Sequence, residues 1–101
     1  MATQPLTEQE IAEALSGLPG WTREDGRLVR TYGLPDHLAA VGLLVHIATE
    51  QERLNHHADL TLGYDRLGLA LSTHSAGGRI TALDVQLARR VEEIAPAHGA
   101  A

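Results

Sequence analysis

An apolar stretch in the middle of the chain constrains the fold more than any other feature of the sequence. From Leu38 to Ala48 only His46 is polar, and alanine and leucine predominate. Polar residues follow this stretch, so we predict a helix over residues 36–54 that Asp36 caps. Because the first half is apolar nearly all round, the helix must be buried on more than one side. In so small a chain we expect the second side to meet a neighbouring subunit.

The length and composition predict a single domain with an aliphatic core. The chain has 101 residues, of which 44% are hydrophobic, but it contains no Phe, one Trp and two Tyr. A chain of this length has room for one domain only. We predict that the domain occupies residues 1–101, with its core over residues 6–95. Residues 96–101, which begin with Pro96, are predicted to form a flexible tail.

The charge balance and the absence of cysteine exclude several classes of function. Eight basic residues stand against 13 acidic ones, which gives a net charge of −5. A general nucleic-acid binder needs a basic face, and a membrane-surface helix is rich in basic residues. Without cysteine there is no disulfide, thiolate nucleophile or cysteine-based zinc site. No signal peptide or membrane-spanning run is visible, so we expect a cytoplasmic protein that binds neither nucleic acid nor membrane.

Local signals outside the central helix predict two further helices and two hairpins. Thr7 and Thr81 each begin a capping box, which predicts a first helix ending near Ser16 and a last helix ending at Pro96. Asp25-Gly26 is a favoured hairpin turn. Alternating or short apolar runs predict strands over residues 21–24, 27–32, 60–64 and 66–73.

The order of these elements is α-β-β-α-β-β-α, which defines an α+β fold. We predict that the two hairpins join into one four-stranded antiparallel sheet. Three helices then cover one face of the sheet. The segment 75–78 between the last strand and the last helix is predicted to be a flexible loop.

Histidines at the ends of two elements are the candidates for chemistry. His56 and His57 follow the central helix, and His74 follows the last strand. Because the helices cover one face, the two segments are expected to converge at one end of the fold. The unperturbed pKa of histidine lies near neutral pH, so one ring can take a proton while another gives one. The nearby carboxylates that could orient these rings are those of Glu52, Asp59 and Asp84.

Each of these residues also has a purely structural interpretation. A histidine pair at a helix end suits the helix dipole, and Asp84 fits a capping box. Glu52 can be a solvated helix residue, and Asn55 a C-cap. Three histidines are a known zinc set, but the spacing here favours no metal site. The Gly77-Gly78-Arg79 segment gives only weak support for anion binding.

The same residues resemble those of the pterin-4a-carbinolamine dehydratases. The resemblance rests on Glu52 to His57, Tyr64, Leu71 to His74 with Gly77-Gly78, and Asp84, and it covers about residues 6–95. Gly20-Trp21 and the first hairpin also fit the family. The resemblance implies the fold given above, a homodimer or homotetramer, and no metal or organic cofactor. It implies dehydration of a 4a-hydroxytetrahydropterin to the quinonoid dihydropterin, a step in tetrahydrobiopterin recycling.

The resemblance also assigns roles to individual residues. His56 and His74 would exchange protons with the substrate, His57 would bind and orient it, and two acids would tune the imidazoles. The implied catalytic residues are therefore His56, His57, His74, Glu52 and Asp84. The implied substrate-binding residues are His56, His57, Ala58, Thr73, His74, Ser75 and Ala76.

Three departures from the family pattern bear on this assignment. Ala58 stands where most members have proline, which predicts a looser loop after the histidine pair. Leu60 stands near where an aromatic residue is usual. The segment before Asp84 is one residue longer, which would displace Asp84 from His74. The family also contains members that lost activity and serve as binding, coactivator or assembly proteins, and this is the alternative function.

Overall fold

The structure, a computed structural model, describes residues 4–101, so residues 1–3 of the predicted domain lie outside it. The predicted order of elements is confirmed, and two short 3-10 helices follow the last strand and the last helix. The helices are α1 (Glu8–Ser16), α2 (His37–Leu54) and α3 (Ala82–Ile94), and the 3-10 helices are His74–Ala76 and Ala95–His98. The strands are β1 (Thr22–Glu24), β2 (Arg27–Gly33), β3 (Asp59–Leu62) and β4 (Arg66–Leu71).

Side-chain caps begin each helix where the sequence predicted them. Thr7 and Glu10 form a capping box at the start of α1, and Asp36 Oδ1 accepts the N–H of Ala39 at 2.8 Å. These bonds satisfy amides that have no partner inside the helix. At the other end of α2, Asn55 adopts the left-handed conformation with φ of 52° and turns the chain out of the helix.

The four strands form one antiparallel sheet in the order β1-β2-β4-β3. The turn between β1 and β2 uses positive φ at Asp25 and Gly26, as the sequence predicts. The alternation of the central strands sends one set of side chains into the core against the helices. The buried set is Leu28, Tyr32, Leu67, Leu69 and Leu71. The opposite face, which carries Thr31 and Thr61, is open, so the sheet has one covered and one uncovered face.

A carboxylate from α3 ties that helix to the sheet. Glu92 Oε2 accepts the indole N–H of Trp21 at 3.0 Å and the hydroxyl of Tyr32. The Arg30 guanidinium lies 3.8 Å from the same oxygen. Burial raises the pKa of Tyr32 well above its usual range, and the Glu92 carboxylate adds to this effect.

A second carboxylate ties α2 to α3. Glu50, which is only 4% exposed, bonds Arg90 of α3 and Arg53 of its own helix, the latter at 2.7 Å. The Arg90 guanidinium, together with Arg53, holds the pKa of Glu50 below its usual range. The last turns of α2 are therefore fixed relative to α3.

The C-terminal residues pack against the molecule, whereas the sequence predicts a flexible tail over 96–101. Ala101 and Gly33 exchange both backbone hydrogen bonds at 3.0 Å, and His98 Nε2 lies 2.9 Å from His46 Nδ1. The contacts are mainly backbone bonds between small residues, and such bonds leave no hydrophobic pattern in the sequence. Over residues 4–101, no helix has both the length and the apolar character needed to cross a membrane.

Raising the pH above about 10 should lower the free energy of unfolding through Tyr32. The unfolded chain then loses the tyrosine proton while the folded chain keeps it, so stability falls by up to about 1.4 kcal/mol per pH unit. The chain contains no lysine or cysteine, which keeps this pH range free of their titration. Denaturant unfolding between pH 9 and 11.5 should show that the free energy of unfolding falls less steeply with pH in Tyr32→Phe than in the wild-type protein. Tyr64→Phe, at an exposed tyrosine, is the matched control. A Tyr32→Phe variant whose free energy of unfolding depends on pH as in the wild-type protein would contradict the linkage.

Candidate active site

Three element ends meet where the sequence placed the candidate residues. His56 and His57 follow the C-terminus of α2, Thr73 and His74 follow β4, and Asp84 lies in the first turn of α3. The left-handed Asn55 directs the chain back from α2 toward α3 immediately before the histidine pair. The segments predicted to converge therefore do so through the contacts of Asp84.

Asp84 is fully buried and accepts a hydrogen bond from each of three segments. Its Oδ1 lies 2.6 Å from His56 Nε2, and its Oδ2 accepts Thr73 Oγ1–H at 2.8 Å and the Thr81 N–H at 2.9 Å. The two interpretations of Asp84 are thus compatible, because one oxygen completes the capping box and the other holds a histidine. Asp84 bonds His56 and does not bond His74.

This arrangement determines which nitrogen of His56 faces away from the carboxylate. An ionised carboxylate only accepts hydrogen bonds, so we assign the proton in this contact to Nε2 of His56. The Nδ1 atom is left for another partner. The Thr73 hydroxyl lies 2.6 Å from that of Thr81, so the group that donates to Asp84 is itself held in place.

The second histidine of the pair has its own carboxylate. His57 Nε2 is hydrogen-bonded to Glu52, five residues earlier on the last turn of α2. Both side chains are largely exposed, at 52% for His57 and 76% for Glu52. Solvent screens an exposed pair of this kind, so it orients the ring only weakly. The two adjacent histidines therefore have one buried and one exposed carboxylate partner.

The segment after β4 is a closed turn, whereas the sequence predicts a flexible loop there. The Thr73 carbonyl accepts the amides of Ala76 and Gly78, each at 3.0 Å. Gly77 and Gly78 have φ of 70° and 80°, a region that favours glycine and allows the turn to close. His74 begins this turn and is exposed, beside the predicted substrate-binding residues Ser75 and Ala76.

Several candidates from the sequence lie elsewhere. Asp59 forms an ion pair with Arg27 at 2.9 Å across the sheet, so it is not one of the carboxylates that hold a histidine. Tyr64 is 76% exposed and stacks on His37. Among residues 4–101, no group of three or more histidine, aspartate or glutamate side chains is arranged to hold a metal ion.

One side chain beside the histidine pair was not recognised in the sequence. Gln51 is 5% exposed, and its Oε1 accepts the Ala58 N–H at 2.9 Å. The only signal for it is indirect, because alanine at position 58 brings an N–H that proline lacks and that needs an acceptor when it is buried.

A groove in the helical layer does not contain the histidines. It has a volume of about 820 Å³, and its apolar lining includes Leu54 of α2, Val85 of α3 and Leu6, which precedes α1. Charged side chains of α1 and α3, Glu13 and Arg89 among them, border it. The candidate site is thus defined by hydrogen bonds at element ends and is separate from this groove.

Fold and site together define a small α+β protein in which two adjacent histidines after α2 each contact a carboxylate. The family model "Pterin 4 alpha carbinolamine dehydratase" matches residues 4–94. A Streptomyces coelicolor protein named for this dehydratase is 55% identical over 100 residues, which cover 99% of each chain. A similarly named Opitutus terrae protein is 44% identical over 89 residues, 88% of this chain and 92% of that protein.

A solved structure supports the same assignment. The crystal structure of a transcriptional coactivator/pterin dehydratase from Brucella melitensis has a TM-score of 0.85 and 37% identity, and the match covers 91% of this chain and 99% of that one. The chain therefore belongs to the pterin-4a-carbinolamine dehydratase family, a family of hydro-lyases that act on a pterin.

Replacing Asp84 with asparagine should destabilise the protein by about 1–3 kcal/mol, because an amide cannot accept all three bonds and leaves a buried donor without a partner. Glu52→Gln, at the exposed carboxylate, is the matched control and should change stability by less than about 0.5 kcal/mol. Urea unfolding at neutral pH measures both. Equal stability of the two variants would contradict the role of Asp84 in joining the three segments.

Proposed function

We propose that the protein dehydrates a 4a-hydroxytetrahydropterin to the quinonoid dihydropterin by acid–base catalysis, in which His56 and His74 transfer protons and His57 binds and orients the pterin. The observation that carries the proposal is the contact set of Asp84, which bonds both His56 and Thr73, the residue next to His74. Two histidine-bearing segments far apart in the sequence are thereby joined at one carboxylate. The family assignment supplies the class of substrate.

The proposed step removes the hydroxyl group from C4a and a proton from a ring nitrogen. One histidine gives a proton to the departing hydroxyl, which leaves as water and takes the C–O bonding electrons with it. Another histidine accepts the proton from the ring nitrogen, and the electrons of that N–H bond complete the quinonoid system. One proton is given and one is taken, so the site returns to its starting charge after these protons exchange with solvent.

The contacts of the three rings suit different parts of this reaction. His56 is held through Nε2 by the buried Asp84, so its Nδ1 is a fixed proton-transfer atom. His57 has only the exposed Glu52 and is assigned to binding and orienting the pterin. His74 begins the closed turn and serves as the other proton-transfer group. Ala58, Thr73, Ser75 and Ala76 are assigned to contacts with the polar edge of the pterin.

The biological setting of the reaction is part of the same proposal. The product is the oxidised pterin from which tetrahydrobiopterin is regenerated, so we expect a cytoplasmic role in that recycling. The alternative is a non-catalytic binding, coactivator or assembly protein, because the Brucella melitensis neighbour is described as a transcriptional coactivator as well as a pterin dehydratase. The acidic composition argues against direct contact with nucleic acid.

We also propose that the protein is a homodimer or homotetramer that associates through α2. Leu38 is 79% exposed and Val45 is 59% exposed, and they lie two turns apart on one side of the helix. Val41 and Ala48, at the same spacing, extend this apolar stripe. A second copy of α2 would remove the stripe from water.

His56→Ala or His74→Ala should lower kcat at least about tenfold, because each removes a proton-transfer group. The assay follows the ultraviolet decay of enzymatically generated 4a-hydroxytetrahydropterin with and without the protein. His37→Ala, which removes an exposed histidine of α2, is the matched control and should keep full activity. Circular dichroism checks that each variant is folded.

The assay also separates the two candidate functions. Full activity in both His56→Ala and His74→Ala would refute the assignment of these residues. Absence of any acceleration by the wild-type protein would refute catalysis and favour the binding protein.

Leu38→Glu combined with Val45→Glu should convert the protein to a monomer, because two buried charges would replace the apolar stripe. Size-exclusion chromatography with light scattering at micromolar concentration measures the change. Ala12→Glu, at an exposed position of α1, is the control and should leave the mass unchanged. A wild-type protein that is already monomeric would refute the proposed interface.

A further inference from the structure

Gln51 holds the backbone on both sides of the histidine pair. Its carbonyl oxygen accepts the N–H of His56 at 3.0 Å and that of Asn55 at the helix C-cap. Its side-chain Oε1 accepts the N–H of Ala58 at 2.9 Å. Gln51 thus accepts hydrogen bonds from Asn55, His56 and Ala58, which lie before, within and after the histidine pair.

The segment between α2 and β3 is short, and the Gln51 side chain is buried beneath it. Four residues separate Leu54, the last residue of α2, from Asp59, the first of β3. Gln51 is 5% exposed, and Ala58 is half-buried against the core. A buried side chain with a polar partner has little freedom to move, so the bond to Ala58 fixes where the peptide after His57 lies.

The bond exists only because residue 58 has an N–H group. Proline, the residue that the family resemblance leads one to expect there, would fix its own φ and restrict His57 without any hydrogen bond. Alanine lacks that covalent restriction and has a backbone N–H group that needs a hydrogen-bond acceptor. In this chain the amide meets a glutamine oxygen.

We propose that Gln51 is a positioning residue of the dehydratase site, and that its side-chain bond to Ala58 holds the His56–His57 segment where other members would use proline. The proposal rests on the proposed function for its kinetic consequence only. The bond itself acts on the backbone and can be tested without any substrate. Small displacements of a catalytic group reduce rate strongly, which is why such a bond affects kcat.

Gln51→Met tests the proposal, because methionine keeps the length and unbranched shape of the side chain but offers no comparable acceptor. We expect kcat to fall about tenfold, on the order of what a displaced catalytic group costs. Gln86→Met, at an exposed glutamine of α3, is the matched control and should keep wild-type kcat. Measurements are made at a temperature at which circular dichroism shows every variant folded.

Adding Ala58→Pro to Gln51→Met distinguishes positioning from a general loss of stability. Proline removes the unpaired amide and restricts His57, so the double variant should recover at least threefold in kcat over Gln51→Met. Ala58→Pro alone should not exceed wild-type kcat, because it exchanges the Gln51 bond for the proline restriction and leaves the buried Gln51 Oε1 without its donor. A Gln51→Met variant within twofold of wild type, or a double variant no better than it, would overturn the proposal.

Amide hydrogen exchange at Ala58 provides a readout that does not depend on activity. In the wild-type protein this amide should be protected, and in Gln51→Met its exchange should be at least tenfold faster while amides in β4 are unchanged. If the wild-type protein shows no dehydratase activity but this difference is present, the proposed function fails and the positioning of the segment stands. Equal exchange in both proteins would refute the role of Gln51.

Discussion

The buried carboxylate of Asp84 is the interaction on which the arrangement of the site depends. A carboxylate without partners is costly to bury, and Asp84 is fully buried. Its three donors come from the end of α2, the end of β4 and the start of α3. Because each donor belongs to a different element, movement of any one leaves the carboxylate short of a hydrogen bond. The requirement to satisfy one charge thus fixes three segments relative to one another.

The same requirement makes the two adjacent histidines different. His56 cannot turn without breaking its bond to Asp84, whereas His57 is paired with an exposed glutamate that solvent screens. Proton transfer benefits from a fixed atom, and contact with a flat ligand benefits from a ring that can adjust. The difference in burial, more than the identity of the residues, therefore motivates the separate roles proposed for the two rings.

The sequence predicted the parts of this structure that depend on local bonds. The hairpin turn at Asp25, the cap at Asp36 and the left-handed Asn55 each follow from a residue's own conformational preference and its immediate neighbours. The strands after α2 were less well placed: residues 60–64 were predicted and Asp59–Leu62 are observed. Gly63 and Tyr64 belong to the turn, and an apolar run does not mark where pairing stops.

The sequence could not predict contacts that depend on direction in space. Convergence of the histidine segments follows from the order of elements, but the partner of Asp84 does not. The carboxylate meets His56 and Thr73, and no spacing rule distinguishes that outcome from a bond to His74. Backbone bonds such as the one between Gly33 and Ala101 leave no residue pattern at all.

The position of the site at two helix ends places its charged groups without help from the residue at position 58. Asp84 lies in the first turn of α3, where the unpaired amides favour a negative charge, and the histidine pair follows the C-terminal turn of α2, which favours positive charge. Glu50 bonds Arg90 and fixes the two helices near these ends. The helix ends thus determine where the charged groups lie, and the loop has only to hold one peptide in place.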